Sequence, residues 1–371
     1  MRAVAMFPTE KKIRVIDRPS PTLEKDSQVR LRMLEVGVCG TDHEIARFEY
    51  GTPPAGEPYL VIGHESLAEV VEVGSAASRL SPGDLVVTTV RRPCGQAKCR
   101  PCQHGRPDFC RTGEYTERGI KGRNGFMTDE VVDDENNMHL VPPELADIAV
   151  LTEPLTIAEK GLIELDSILT RMPWIDPAKA ESRGMNAVVL GAGPVGLLGA
   201  LALLVRGFDT WVYSREAATS GRADWVKRVG GRYICSADLK VGDLSKQVGN
   251  VDLIYEATGA ASLAFAALPA VGSNGVFIFT GVPGRAANID LDGQAIMRNL
   301  VLKNQLLYGT VNAGPPSFDA AIADLAKFDA RWPEQVRELI TGRFPPEAIT
   351  TVLGGEPGAI KSVIRFASPT K

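Results

Sequence analysis

The hydrophobic pattern changes character part-way along the chain. Gln28–Glu35, Ser66–Val73 and Asp84–Val90 alternate, or run apolar with β-branched residues, which predicts strands. Turn signals such as Ser81-Pro82-Gly83-Asp84 separate them. The first part therefore reads as a mostly antiparallel β domain. Beyond about Arg183, apolar runs alternate with helical patterns. Asn186–Leu190, Thr210–Tyr213, Val251–Glu256 and Gly275–Thr280 read as buried strands, and Leu302–Val311 as a last one. Pro194–Arg206 and Ala223–Val229 read as helices. That alternation predicts a parallel, doubly wound sheet. The tail has helical patterning in Phe318–Phe328 and Pro333–Ile340 and ends in a short strand, Ala359–Phe366. Pro173–Arg183 reads as the connection into the second domain.

The expected fold is α/β in two domains. Residues 1–183 and 312–371 form the β-rich catalytic domain, and 184–311 a dinucleotide-binding domain. The length of 371 residues suits two cores better than one. A net charge of −4 gives no reason to expect nucleic acid or an anionic membrane as partner. Ala187–Val205 is apolar or glycine throughout, long enough to suggest a membrane span. Gly191, Gly193, Pro194, Gly196 and Gly199 instead suit a strand, a tight turn and a helix. The first residues hold no apolar core of signal-peptide length, and a cytoplasmic location is expected.

Gly191-Ala-Gly193-Pro194-Val195-Gly196 follows a strand and opens a helix. Gly191 permits the turn, Gly193 lets backbone approach a pyrophosphate, and Gly196 lets helix and strand pack closely. The helix N-terminus offers N–H groups to phosphate. Thr258 and Gly281, just past two later strands, are expected at the same cofactor site. After the second strand the chain reads Tyr213-Ser214-Arg215-Glu216, where an acidic residue would select NAD. Ser214 and Arg215 favour the 2′-phosphate of NADP, with NAD as the alternative should Glu216 turn inward.

Cys94, Cys99, Cys102 and Cys110 crowd one loop. Four thiolates suit a closed, structural zinc site. A second, dispersed set comprises Cys39, His64, Glu65 and Glu153, with Asp42 as partner for the His64 ring. A thiolate, an imidazole and carboxylates can hold zinc and leave room for substrate. His104 and His139 read as surface or structural residues, and Cys235 as buried and inert.

Together, Gly37–Asp42, Gly63-His64-Glu65, the four-cysteine loop and Gly191–Gly196 resemble the zinc-containing medium-chain dehydrogenase/reductase superfamily over essentially the whole chain. The resemblance implies a GroES-like β domain completed by the tail, a Rossmann domain between, and a cleft for zinc, nicotinamide and substrate. Arg91-Arg92-Pro93, Gly105–Cys110, Thr112–Ile120, Gly125-Phe126-Met127 and Asn304–Asn312 are similar to the glucose 1-dehydrogenase family. In that family a Cys or Asp, a His and two glutamates surround the catalytic zinc. Cys39, His64, Glu65 and Glu153 match them, with Glu65 and Glu153 exchanging in the shell. Glu114 and Asn312 match residues that contact the sugar, and Asn312 lies where the nicotinamide sits.

The activity so implied is oxidation of an aldose at C1, D-glucose first and galactose or xylose next, to an aldonolactone. Thr41 would take the hydroxyl proton and pass it to Glu44 or His43. A homo-oligomer, dimer or tetramer, is also implied. Three departures stand out. The gap Cys94-x4-Cys99 is longer than the usual two residues. Glu153 replaces a second catalytic cysteine of common alcohol dehydrogenases. No histidine follows His139 to read the sugar. The alternatives are a polyol, secondary-alcohol or amino-alcohol dehydrogenase, and a catalytically silent NADP-binding zinc protein.

Overall fold

The computed structural model describes residues 1–175, 184–284, 288–355 and 358–369. Most of the connection expected at Pro173–Arg183 lies outside them. The chain forms two compact units: Met1–Thr156 with Asn312–Asp329 and Val336–Lys371, and Ile157–Val311 with Ala330–Gln335.

The first unit is built on the strand Gln28–Gly37. It pairs antiparallel with Glu65–Val73, Glu130–Asp134 and Lys361–Arg365. Alternation explains its place: Val29, Leu31 and Met33 are fully buried, while Arg30 and Arg32 reach across to Glu72, Glu130 and Glu69. Ile340–Phe344 adds a parallel pairing to this sheet, beside Lys361–Arg365. Register then does something local spacing cannot. Gly37 lies opposite both Glu65 and Val363, so Glu65 and the start of the last strand meet at one corner.

The second unit carries six parallel strands in the order Arg232–Cys235, Asp209–Ser214, Asn186–Leu190, Val251–Glu256, Val271–Phe279 and Leu306–Gly309. In chain order that is 3-2-1-4-5-6, the doubly wound arrangement whose ligands sit beyond the strands' carboxyl ends. The helix Pro194–Val205 is buried from Gly196 to Leu203. A Cβ on Gly199 would come within 2.6 Å of the Tyr255 ring, so glycine sets how closely this helix approaches the sheet. The apolar run Ala187–Val205 is thus a strand, turn and helix, and no helix of the described residues is long and apolar enough to cross a membrane.

Three expectations change. The last sheet strand is not Leu302–Val311 but Leu306–Gly309, because a helix runs through Gly293–Leu302 and Asn304 turns the chain at φ 51°. The pattern Pro333–Ile340 is a helix only to Glu338, and Ile340 already starts a strand. The helix Thr152–Leu169 was not foreseen. Its signal was present: Leu155, Ala158, Leu162, Leu165 and Leu169 recur at helical spacing and are buried, and Pro154 occupies the first turn, where a missing N–H is tolerated. This helix also moves the first unit boundary from residue 183 to Thr156. Its later turns belong to the parallel-sheet unit, where Tyr308 Oη donates to Gly161 O at 2.7 Å.

Candidate active site

Four sulfurs meet in the loop after the short strand Arg91–Arg92. The Sγ atoms of Cys94, Cys99, Cys102 and Cys110 all lie within 4.8 Å of one another. Cys94 and Cys102 are 3.7 Å apart, and Cys99 and Cys110 3.8 Å. The longer gap is taken up by a turn in which Cys99 N donates to Gln96 O. N–H groups of Arg111 and Cys102 lower the Cys99 pKa. Burial opposes the Cys110 thiolate, but the Thr112 hydroxyl and the N–H groups of Thr112 and Gly113 outweigh it and bring that thiol down to about 6. Burial pushes the Cys102 thiol the other way, up to about 12. Four converged sulfurs, two of them favoured as thiolates, suit a closed tetrahedral zinc site.

The second constellation sits at the sheet corner. Cys39 caps the helix Gly40–Ala46, His64 precedes a strand, and Glu65 begins it. One donor atom from each of Cys39, His64 and Glu65 lies within 4.8 Å of the others. Glu153 is not in that convergent trio. It stands in the first turn of the helix Thr152–Leu169, buried, where desolvation pushes its carboxyl up to about 7 against the pull of His64. Asp42 is fully buried, accepts from Cys39 N at 2.9 Å, and approaches His64 Nδ1 only to 3.8 Å. Asp42 Oδ1 and His64 Nδ1 have no hydrogen-bond partner among the described residues. Burial favours neutral His64, yet Asp42, Cys39 and Glu153 outweigh it and hold its pKa well above the usual value. A pocket of thiol, imidazole and excess carboxylate that draws in a proton is also fitted to draw in a zinc ion.

The sequence reading missed Lys361. Its Nζ lies 2.6 Å from both oxygens of Glu65 and donates to Val38 O at 3.0 Å, with both side chains buried. Gly37 makes room for the pair, since a Cβ there would run into Glu65 Oε2. The signal was a lone lysine within the apolar strand near the C-terminus.

In the other unit, Gly191 turns at φ 107° and Gly193 caps the helix Pro194–Val205 in extended backbone. A Cβ on Gly196 would strike Gly191 O, whereas one on Gly193 would meet nothing within 4 Å. Gly196 is therefore a packing glycine, and Gly193 borders open space. The first-turn N–H groups of Val195 and Gly196 have no intrahelical acceptor, so the turn fits a bound phosphate. Thr258 abuts Gly191, and Gly281 abuts Gly259. Ser214 is half-buried and Arg215 exposed. The cation on the turn itself is one not foreseen: Arg222 Nη1 donates to Ala192 O at 3.1 Å and pairs with Glu216 at 2.9 Å. Glu216 is thereby engaged with an arginine.

Residues 146–366 match the model of the glucose dehydrogenase C-terminus, and residues 25–143 that of the alcohol dehydrogenase GroES-like domain. The chain is 35% identical to a glucose 1-dehydrogenase of Methanocella arvoryzae, over 99% of this chain and all of that one. It belongs to the glucose dehydrogenase family. A glucose 1-dehydrogenase of Thermoproteus tenax is 38% identical, covering 95% of this chain and 93% of its own. Among solved structures, a Haloferax mediterranei glucose dehydrogenase in complex with NADP, Zn and gluconolactone superposes with a TM-score of 0.88 at 32% identity, over 99% of this chain and all of that one.

Two residues that the glucose dehydrogenase resemblance assigned to the sugar differ in setting. Glu114 is exposed and accepts from Gln96 Nε2 at 2.8 Å. Asn312 turns at φ 58°, and its Nδ2 donates to Glu117 Oε1 at 3.3 Å. Glu117 Oε1 also receives Arg91 Nε and Nη2 at 3.0 and 2.9 Å. Asn312 Oδ1 is buried with no hydrogen-bond partner among the described residues. Thr41 is half-buried, with Oγ1 4.0 Å from Cys39 Sγ, and His43 Nδ1 lies 3.0 Å from Leu353 O. Of the two settings expected for His139, surface or structural, it takes the structural one: buried, stacked on Phe318 and 2.7 Å from Asp319. His104 is exposed and Cys235 buried.

Proposed function

We propose that this chain is a cytoplasmic, zinc-dependent glucose 1-dehydrogenase that oxidises the C1 hydroxyl of D-glucose to gluconolactone with NADP⁺ as hydride acceptor. The observation that carries the reading is the convergence of half-buried Cys39 with buried His64 and Glu65 in a member of the glucose dehydrogenase family. Six free cysteines suit a reducing compartment.

Cys39, His64 and a carboxylate from Glu65 or Glu153 would hold the catalytic zinc, and the four-cysteine loop the structural one. Zinc bound there supplies Lewis acidity that eases loss of the C1 hydroxyl proton. Thr41 Oγ1 takes that proton and releases its own. His43 then accepts through Nε2 if its Nδ1–H is committed to Leu353 O, and Glu44 is the second outlet. Loss of the proton lets C1 expel hydride to NADP⁺ and become the lactone carbonyl. Asn312 Oδ1 accepts a sugar hydroxyl, and Glu114 a second; such polar readout rejects sugars whose hydroxyls leave buried acceptors empty.

Absorbance of reduced cofactor tests this. Glucose with NADP⁺ should give chelator-sensitive reduction; turnover of polyols or simple alcohols alone would sink the sugar assignment. Arg222, bonded to Ala192 O of the glycine turn and paired with Glu216, is proposed to meet the 2′-phosphate together with Ser214 and Arg215. Arg222→Leu should raise KM for NADP⁺ roughly tenfold or more, as for a lost charged hydrogen bond, with little change for NAD⁺. An equal effect on both cofactors would remove Arg222 from that role.

A homo-oligomer is proposed as well. Leu306–Gly309 is an edge strand, and Val282, Met297, Val301 and Leu302 nearby in the chain are exposed apolar residues of the same unit. Light scattering should give two or four chain masses; a monomer would contradict it.

A further inference from the structure

Glu256 ends the strand Val251–Glu256 and is 1% exposed. Its carboxylate is filled from two separate loops. Oε1 accepts from Thr258 N at 2.6 Å, Thr258 Oγ1 at 2.5 Å and Gly259 N at 2.9 Å. Oε2 accepts from Gly281 N at 3.2 Å. The main-chain carbonyl of the same residue accepts from Thr280 N at 3.1 Å and Thr280 Oγ1 at 2.6 Å. A buried carboxylate persists only where its lone pairs are satisfied, and here the satisfying groups are the backbone of the sheet's carboxyl edge. Packing leaves these loops no slack. A Cβ on Gly281 would strike Gly259 N, one on Gly259 would lie 2.8 Å from Val282 O, and one on Gly191 would lie 2.8 Å from Thr258 Cγ2. The glycine turn therefore rests on the threonine that Glu256 holds.

We propose that Glu256 is a positioning residue for the dinucleotide: its carboxylate locks Thr258–Gly259 and Gly281 together against the turn at Gly191, so that NADP⁺ meets loops already ordered. The proposal rests on reading Gly191–Gly196 as the dinucleotide site. Ordering done in the fold is ordering that binding does not have to supply. Glutamate is required for two reasons. Both oxygens must accept, because every group facing them donates. A glutamine would turn an N–H₂ toward a backbone N–H, and an aspartate is one methylene too short to reach both loops.

Glu256→Gln and Glu256→Asp are compared with wild type as full-length, zinc-loaded chains. The NADP⁺ dissociation constant is read by protein fluorescence, alongside KM for NADP⁺ and for glucose and the melting temperature. Expected is a rise of about tenfold in the dissociation constant and KM for NADP⁺, with the glucose KM unchanged. Wild-type NADP⁺ affinity in a folded variant overturns the proposal. So does an equal rise in both KM values, or failure of both variants to fold, since either assigns the carboxylate to general stability. If wild type itself does not bind NADP⁺, the dinucleotide reading fails first and the proposal with it; glucose oxidation by wild type with NADP⁺ separates the two cases.

Discussion

Lys361→Met should destabilise the protein by about 3–5 kcal/mol, the usual cost of leaving one member of a buried ion pair behind. Lys361 and Glu65 are each about 1% exposed at the side chain, and both Glu65 oxygens lie 2.6 Å from Nζ. Water cannot reach the carboxylate to take the lysine's place. Methionine matches the lysine stem in volume, so packing is nearly kept and charge is the main loss. The rescue is equally specific. Lys361→Met with Glu65→Gln removes both charges, and the double variant should recover roughly half of the deficit or more. Urea midpoints measured with the catalytic zinc removed, so that no metal can stand in for Lys361 beside Glu65, check this. A wild-type midpoint in the single variant, or no recovery in the double, would mean that the pair does not hold the corner together.

The second large effect is expected at the four-cysteine loop. Cys99 is 1% exposed and its sulfur is served by two backbone N–H groups, so Cys99→Ser removes the ligand least able to be replaced by water. Structural zinc contributes on the order of 10 kcal/mol to a small domain that folds around it. In this larger unit the loss falls on the loop 94–113, which carries the four sulfurs. The variant should keep one zinc per chain where wild type keeps two, and should be cut by protease within that loop. Metal analysis and mapping of the first cleavage decide it; two zinc ions retained, with the loop still resistant, would reject the assignment.

These two cases divide what was legible from what was not. The four cysteines were readable because they lie within one loop, where spacing along the chain nearly equals spacing in space. The glycine turn was readable for the same reason: a strand, three glycines and a helix are consecutive. The parallel sheet was readable through its buried runs, since strands covered on both faces leave little polar alternation. Boundaries were less so. Leu302–Val311 is apolar enough for a strand, but its first residue completes a helix, and only the turn at Asn304 separates the two.

The candidate catalytic constellation was legible as residue types and not as an arrangement. Cys39, His64 and Glu65 converge because register sets Gly37 opposite Glu65. Glu153 stands outside that trio because it arrives on a separate helix. Lys361 is 296 residues from Glu65 in sequence and touches it in space, which no local pattern encodes. Arg222 reaches the glycine turn from a different helix, and Glu256 gathers its donors from two loops. By itself the sequence determined most of the strands and helices, the four-cysteine loop and the glycine turn, since each depends on neighbours within a few residues. The tertiary structure alone decided which charge compensates which, because sheet register and loop packing bring those partners together only after the chain has folded.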